Sequence, residues 1–237
     1  MKFLTATVLA ACFCASLAQA APSPEVIKIN VQMLFPSVRV NDGCSGTIVH
    51  SSRAQKSGEV TTLVLTARHC MKDMESVTNK VVVPIYSATL QLVEERTLFA
   101  DFKAKDSKSD TAVLVLKDKA TLYETVALVA KPDTALYAAE DVWAVGFPQG
   151  ASITLTRGFL GPLERSDFGD GEREFYRASP GVAPGSSGGG LFHISEDGKY
   201  EMIGLSTGVY NAGSFMGIFT PIKPIADFLA KQLPQGR

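Results

Sequence analysis

Short apolar segments separated by turn residues recur along most of this 237-residue chain. They are rich in Val, Ile, Leu and Thr, side chains that suit the half-buried surface of a β-sheet. A first set covers residues 27–35, 46–50, 60–66, 81–86 and 111–116, and a second covers residues 141–147, 152–159, 173–178, 189–194, 200–209 and 215–220. This pattern predicts an all-β fold, and by itself it leaves a sandwich and a pair of barrels open.

The segments between these strands predict how the chain is divided. Residues 103–110 are polar and lack periodicity, which indicates a surface loop. Residues 117–140 contain Pro132 and lack alternation, which indicates a crossover between two halves. Residues 222–233 are predicted to form an amphipathic closing helix. Its apolar face is expected to consist of Ile225, Phe228, Leu229 and Leu233.

Composition excludes two classes of protein. Hydrophobic residues make up 46% of the chain and charged residues 20%, so a sizeable core can form and disorder is not expected. The formal net charge is -1 and no long basic run occurs, whereas nucleic-acid binding requires a concentrated positive surface. We therefore expect a folded protein without a nucleic-acid partner.

Residues 1–20 are typical of a secretory signal peptide. Lys2 is followed by an apolar stretch, and the final Ala-Gln-Ala fits a cleavage site after Ala20. The stretch is too short for a convincing membrane span. Residues 9–12 also resemble a lipoprotein box, so a lipid anchor at Cys12 stays open as an alternative. In both cases we expect an exported protein, either secreted or periplasmic.

Cleavage after Ala20 leaves a mature chain, residues 21–237, with two cysteines, Cys44 and Cys70. Export implies an oxidising compartment, in which disulfides persist. The two cysteines can form one intrachain bridge or remain two free buried thiols.

Two segments carry candidate catalytic residues. Residues 183–191 read Ala-Pro-Gly-Ser-Ser-Gly-Gly-Gly-Leu, a turn that can expose the Ser187 hydroxyl and leave backbone N–H groups beside it. Residues 65–70 read Leu-Thr-Ala-Arg-His-Cys, which places His69 after an apolar strand. A serine nucleophile needs a base for its proton and N–H donors where an oxyanion forms. Taken alone, the first segment also fits a flexible Gly/Ser loop.

Three histidines limit the choice of base. His50 ends a strand before polar residues and is expected on the surface, whereas His193 lies on an apolar strand and is expected to be a satisfied structural side chain. Their scatter gives no metal-ligand spacing, so no metal site is expected. His69 is therefore the candidate general base, since an imidazole titrates near neutral pH.

The motifs Gly-x-Ser-Gly-Gly and Thr-Ala-x-His-Cys resemble the two signature segments of trypsin-like serine proteases. The resemblance extends over roughly residues 35–233 and implies two packed antiparallel β-barrels with a C-terminal helix. The barrels are expected at about residues 27–120 and 135–220, with the active site in the cleft between them. No cofactor is implied, and we expect a monomer that acts on protein or peptide substrates.

The resemblance also assigns residue roles. Asp110, followed by an apolar strand, resembles the family's catalytic aspartate, and Asp101 and Asp106 are its rivals in more polar settings. The chain order His69, Asp110, Ser187 is the trypsin-like order. It implies that Ser187 is the nucleophile, that His69 is the base and that Asp110 orients the imidazole.

Further features follow from the same family pattern. The backbone N–H groups of Gly185 and Ser187 are expected to form the oxyanion hole, and a disulfide is expected between Cys44 and Cys70. The primary substrate pocket is expected to include Gly181, Thr207, Gly208 and Gly217. This set offers no charged side chain, so uncharged and above all apolar substrate residues are expected there.

One position departs from the zymogen pattern of the family. Ser186 stands where an aspartate usually pairs with a newly formed N-terminus. The chain therefore resembles bacterial-type or HtrA-like peptidase domains, without the HtrA C-terminal binding module. The expected function is a secreted serine endopeptidase that forms an acyl-enzyme, and the alternative is a catalytically silent homologue that binds a protein partner.

Overall fold

The protein is described as a computed structural model covering residues 21–71, 78–168, 171–210 and 216–233. The predicted signal peptide, residues 1–20, and the alternative anchor at Cys12 lie outside the described residues. Within the described ranges, no helix has the length and apolarity needed to cross a bilayer.

The described chain begins with a helix, where the sequence predicted a strand over residues 27–35. Helix α1 spans Pro24–Ile29 and continues as a π-helical turn over Asn30–Leu34. The Ser23 hydroxyl caps the helix by accepting a hydrogen bond from the Val26 N–H, and Pro24 suits the first helical turn. The strand prediction was therefore wrong, because these start signals and the burial of Met33 on the second barrel's side outweigh β-propensity.

Helix α1 docks through polar contacts near Tyr200. The Lys28 ammonium donates to the Gly198 carbonyl at 3.0 Å, and the Gln32 side chain accepts from the Tyr200 N–H at 2.8 Å. The Tyr200 hydroxyl donates to the Glu25 carboxylate. Burial and this carboxylate raise the pKa of Tyr200 above its ordinary value, so the hydroxyl remains a donor.

Six antiparallel strands form a closed first barrel in the order β1-β2-β3-β6-β5-β4. They are β1 Ser37–Val40, β2 Cys44–Arg53, β3 Val60–Ala67, β4 Asn79–Tyr86, β5 Leu92–Asp106 and β6 Thr111–Leu116. Apolar side chains from all six strands form the barrel core. The barrel begins at Ser37, ten residues after the expected start at 27.

Strand β5 occupies the first half of the predicted loop at residues 103–110, and residues 107–110 form a turn. It extends to Asp106, and its side chains alternate between partly buried Phe102 and Ala104 and exposed Lys103 and Lys105. The loop prediction was therefore wrong for residues 103–106, because the outward-facing lysines made a two-residue period look uniformly polar.

The second half of the chain forms another closed ring. Strands β7–β13 are Leu128–Val129, Asp141–Gly146, Thr154–Asp167, Glu172–Ala178, Gly190–Ile194, Tyr200–Val209 and Gly217–Pro221. Strand β11 pairs with both β8 and β12, so the six strands from β8 through β13 form a closed ring in the order β11-β8-β9-β10-β13-β12. Strand β7 lies outside this ring and pairs with β12 in parallel. The predicted class, an all-β fold with two antiparallel barrels and a C-terminal helix, is confirmed.

Helix α2, Ile222–Ala230, closes the second barrel. It buries Ile222, Ile225, Phe228 and Leu229, whereas Leu233 lies beyond the helix and is 38% exposed. The predicted apolar face was therefore correct except at Leu233.

The two barrels share a core and lie beside a disulfide. Leu65 of the first barrel belongs to the same buried cluster as Leu191 and Leu205 of the second. Cys44, at the start of β2, is bonded to Cys70, with Cα atoms 6.2 Å apart. The expected bridge is therefore present, and it fixes the 3-10 turn Arg68–Met71 against β2.

Replacing both cysteines, as Cys44→Ser with Cys70→Ser, should lower the free energy of unfolding by about 3–4 kcal/mol, because the bridge restricts the unfolded chain. Denaturant unfolding in non-reducing buffer measures the difference. Reduction of the disulfide should lower the free energy of unfolding of the wild-type protein to about that of the variant. Equal stabilities without reductant, or two alkylatable thiols in the native wild-type protein, would contradict the bridge.

Candidate active site

His69 and Asp110 lie together at one end of the first barrel. Strands β3 and β6 pair in register at Ala67 and Thr111, so the turn after β3 meets the residue before β6. The Asp110 Oδ2 atom lies 2.6 Å from His69 Nδ1, and its Oδ1 atom accepts the His69 backbone N–H at 2.9 Å. The Asp110 side chain is 6% exposed and that of His69 is 42% exposed. A buried carboxylate thus holds a ring that faces solvent.

This contact determines which ring nitrogen is available. A carboxylate accepts hydrogen bonds, so Nδ1 of a neutral His69 carries the proton and Nε2 presents its lone pair. The Asp110 backbone is in the left-handed region at φ 50°, and its carbonyl accepts from the Arg68 N–H at 2.8 Å. The local backbone therefore fixes the carboxylate under the imidazole.

The rival aspartates have other partners. Asp106 accepts from the Ser109 hydroxyl at 2.6 Å and from the Ser109 N–H at 3.2 Å, which shapes the turn that leads to Asp110. Asp101 is exposed and lies 3.0 Å from the Lys117 ammonium. Of the three candidates, the structure brings Asp110 to His69.

The other histidines lie elsewhere. His50 is partly buried, and its Nε2 atom is 2.8 Å from the Ser52 hydroxyl. His193 is buried in β11, where Nδ1 lies 3.6 Å from Glu140 Oε2. Its Nε2 atom lies 4.0 Å from Glu201 Oε2 and makes no hydrogen bond among the described residues, so the side chain has charged partners at both ring nitrogens but lacks a hydrogen bond at Nε2.

The glycine-dense turn places Ser187 at the junction of the barrels. Gly185 and Gly188 have backbone φ angles of 97° and 87°, which residues other than glycine rarely adopt. The Ser187 carbonyl accepts from the Ser45 N–H at 2.7 Å and lies 3.8 Å from the Cys70 sulfur. Because Cys70 follows His69, the Ser187 backbone lies close to the histidine turn.

The partly exposed Ser187 hydroxyl makes no hydrogen bond with any residue that the structure describes. The structure thus joins His69 to Asp110 and brings the Ser187 turn beside them without a bond from the hydroxyl to the ring. Such contacts are commonly loose without substrate.

The backbone N–H groups of Gly185 and Ser187 are oriented by the hydrogen bonds that the carbonyls of the preceding residues accept. The Pro184 carbonyl accepts from the Gln149 N–H at 2.6 Å, and the Ser186 carbonyl accepts from the Gly189 N–H at 2.9 Å. In a trans peptide the N–H points opposite to the carbonyl. The N–H groups of Gly185 and Ser187 are therefore directed away from these partners, and neither donates to a described residue. Two N–H donors without a described acceptor on one turn are what the predicted oxyanion hole requires.

The four expected pocket residues are divided between two depressions and a packing contact. Gly181 lines a cavity of about 10 Å³, whereas Thr207 and Gly208 line a cleft of about 330 Å³ beside His69. A Cβ atom on Gly217 would lie 2.8 Å from Val182 Cγ2, so this glycine permits close packing on Val182. The side chains around the smaller cavity are all uncharged.

Sequence reasoning missed several residues of these depressions. Val182 lines the smaller cavity, and Phe168 and Phe175 of the β9–β10 hairpin line the cleft beside His69. Strand β10 reaches this position by pairing with β13, at Tyr176 opposite Phe219. Such long-range register carries no local sequence signal. Val182, in contrast, directly follows Gly181, a predicted pocket residue, and could have been predicted from that position.

One close group of potential metal ligands occurs in the described residues. Donor atoms of Cys44, His69 and Cys70 lie within 4.8 Å of one another. Both sulfur atoms belong to the disulfide and are not thiolates, and His69 Nδ1 faces Asp110. These residues do not form a metal-binding set.

Comparisons with known proteins show which family this chain resembles. A family model described as "Trypsin-like peptidase domain" matches residues 44–205. The "Probable periplasmic serine endoprotease DegP-like" protein of Hahella chejuensis is 30% identical over 141 residues, which cover 59% of this chain and 28% of that protein. Its namesake from Rhizobium meliloti is 33% identical over 164 residues, covering 65% and 31%. The chain thus spans about a third or less of the length of these relatives.

Solved structures show a similar fold. The HtrA-type protease AlgW with a tripeptide has a TM-score of 0.65 at 18% identity, covering 89% of this chain and 64% of that chain. An M. tuberculosis protease in its inactive form has a TM-score of 0.60 at 21% identity, covering 90% and 97%. At these identities the likeness concerns the fold.

Gly188→Ala should lower the free energy of unfolding by about 2 kcal/mol or more. Its Cβ would lie 2.1 Å from the Ser45 carbonyl oxygen and 2.4 Å from the Thr66 hydroxyl, in a left-handed backbone. The matched control is Gly208→Ala, whose Cβ meets nothing within 4 Å and which should change stability by less than about 0.5 kcal/mol. Denaturant unfolding of both variants tests this, and equal stabilities would contradict the described barrel junction.

Proposed function

The chain belongs to the trypsin-like peptidase domain family, and on this basis we propose that it is a serine endopeptidase acting outside the cytoplasm. The observation that carries the proposal is the 2.6 Å contact between Asp110 and the exposed ring of His69, beside a turn with two N–H groups that donate to no described residue. A general base and a site for an oxyanion are the two requirements of a serine nucleophile.

The proposed reaction has two halves. His69 Nε2 takes the proton of the Ser187 hydroxyl as its oxygen attacks the scissile carbonyl, and the Gly185 and Ser187 N–H groups stabilise the oxyanion. His69 then gives the proton to the leaving amine, which leaves an acyl group on Ser187. A water molecule, deprotonated by His69, attacks this ester, and His69 returns the proton to the Ser187 oxygen as the carboxylic acid product leaves. Asp110 stabilises the imidazolium in both halves.

Two observations support an extracytoplasmic location. Residues 1–20 have the pattern of a signal peptide, and the disulfide Cys44–Cys70 suits an oxidising compartment. Relatives that are named periplasmic support the same location. A protein exported in this way would meet protein substrates in the periplasm or outside the cell.

A catalytically silent, protein-binding homologue is the second candidate. The observation in its favour is that the Ser187 hydroxyl has no hydrogen bond to His69 in the described part of the chain. A fluorophosphonate probe separates the two functions, because it reacts with an activated serine. Labelling that requires both Ser187 and His69 supports the peptidase, and no labelling of the folded protein supports the silent homologue.

Ser187→Ala should lower kcat for peptide hydrolysis by about 10⁴–10⁶-fold and leave the free energy of unfolding unchanged, because the partly exposed hydroxyl makes no hydrogen bond with a described residue. The matched control is Ser57→Ala, in the turn at the far end of the β2–β3 hairpin, which should keep wild-type activity. Assays with a fluorogenic peptide test both variants. Substantial activity in Ser187→Ala would overturn the assignment of the nucleophile.

Substrate preference should favour small apolar residues before the scissile bond. A cationic side chain would lose water beside the uncharged walls near Gly181 and Val182. Matched peptides with Ala or Val at this position should exceed those with Lys or Arg by about tenfold or more in kcat/KM. Val182→Gly should raise the relative rate for Leu and Phe, because it removes the side chain packed on Gly217. A tenfold advantage for Lys or Arg would place the pocket elsewhere.

A further inference from the structure

Ser45 is a buried side chain from the first barrel that contacts the Ser187 turn at two points. Its hydroxyl donates to the Gly185 carbonyl at 2.7 Å, and its backbone N–H donates to the Ser187 carbonyl at 2.7 Å. The residue is fully buried and lies at the start of β2, directly after Cys44.

The same hydroxyl also binds the loop on the other side of the turn. It accepts from the Phe147 N–H at 2.8 Å. Two residues later, Gln149 has a left-handed backbone at φ 57° and donates its N–H to the Pro184 carbonyl at 2.6 Å. A non-glycine residue keeps such a conformation where its surroundings fix it. The Ser45 hydroxyl therefore connects the nucleophile turn to the loop that orients Pro184.

We propose that Ser45 is a positioning residue for catalysis, which holds the N–H groups of Gly185 and Ser187 in the orientation that an oxyanion requires. The inference rests on the proposed function and adds a residue to it. Ser45 binds the carbonyls on both sides of the Ser186–Ser187 peptide. These contacts hold the two peptides that flank it, and its own Ser186 carbonyl accepts from the Gly189 N–H, so the Ser186–Ser187 peptide cannot rotate without breaking that hydrogen bond.

The turn needs such a constraint because its glycines, which lack a Cβ atom, do little to restrict the backbone conformation. Gly185 and Gly188–Gly190 impose few steric limits on the backbone, so a flipped peptide is locally accessible. A flip of the Pro184–Gly185 peptide would direct the Pro184 carbonyl, rather than the Gly185 N–H, to the position of the oxyanion. Catalysis by N–H donors depends on their being oriented before the reaction, so this constraint should act on kcat.

Ser45→Ala removes the hydroxyl and keeps the backbone contact to Ser187. We expect kcat to fall about 10–100-fold, with KM within about twofold of wild type, because ground-state contacts with the peptide are retained. Affinity for a peptide boronic acid, which forms a tetrahedral adduct, should fall in parallel with kcat, while affinity for the matching product peptide should not change. Rates are expressed per titrated active site, so an inactive fraction does not contribute.

Ser37→Ala is the matched control. Ser37 is also a buried serine of the first barrel whose hydroxyl donates to a backbone carbonyl at 2.7 Å, in this case that of Met33. It should lower stability to a similar extent and leave kcat within about twofold. A loss of kcat in Ser37→Ala equal to that in Ser45→Ala would assign both effects to general destabilisation and overturn the proposal.

The remaining outcomes separate this inference from the proposed function. An active wild-type protein with unchanged kcat and boronate affinity in Ser45→Ala overturns the positioning role alone. An inactive wild-type protein overturns the proposed function and, with it, this inference. If Ser45→Ala does not fold, Ser45→Thr retains the hydroxyl and should keep kcat within about threefold, whereas a larger loss in a folded Ser45→Thr would contradict the role.

Discussion

The junction between the two barrels is the constraint on which the candidate active site depends. His69 and Asp110 come from the first barrel, and Ser187 comes from the second. A shared apolar cluster holds the barrels together, and the hydrogen bond from the Ser45 N–H to the Ser187 carbonyl fixes their register at the site. A shift of one barrel by about 1 Å would separate the base from the nucleophile, at a large cost in rate.

Within the first barrel, the buried charge of Asp110 is compensated by local geometry. The carboxylate accepts from the His69 backbone and lies against the His69 ring, while Asp106 and Ser109 define the turn that delivers it. A buried carboxylate without such partners would be strongly destabilising. The disulfide at Cys70 then limits movement of the histidine turn, so the pair and the bridge stabilise the same few residues.

The sequence predicted the fold where side-chain pattern and local structure agree. Strands β6 and β12 have the predicted bounds, and the glycine-dense turn and the His69 segment lie at the barrel junction. The prediction failed at α1, where capping outweighed β-propensity, and at β5, where outward lysines hid the alternation. The contribution of Phe168 to the cleft depends on long-range strand register, which no local pattern encodes.

The most direct test of the account is a pre-steady-state measurement with an activated ester substrate. The account predicts a burst of about one product molecule per enzyme molecule, followed by slower turnover, and an acyl group mapped by mass spectrometry to the peptide containing Ser187. Loss of both the burst and the adduct in His69→Ala would complete the assignment. A folded wild-type protein that binds peptide but shows neither burst nor acyl adduct would contradict it.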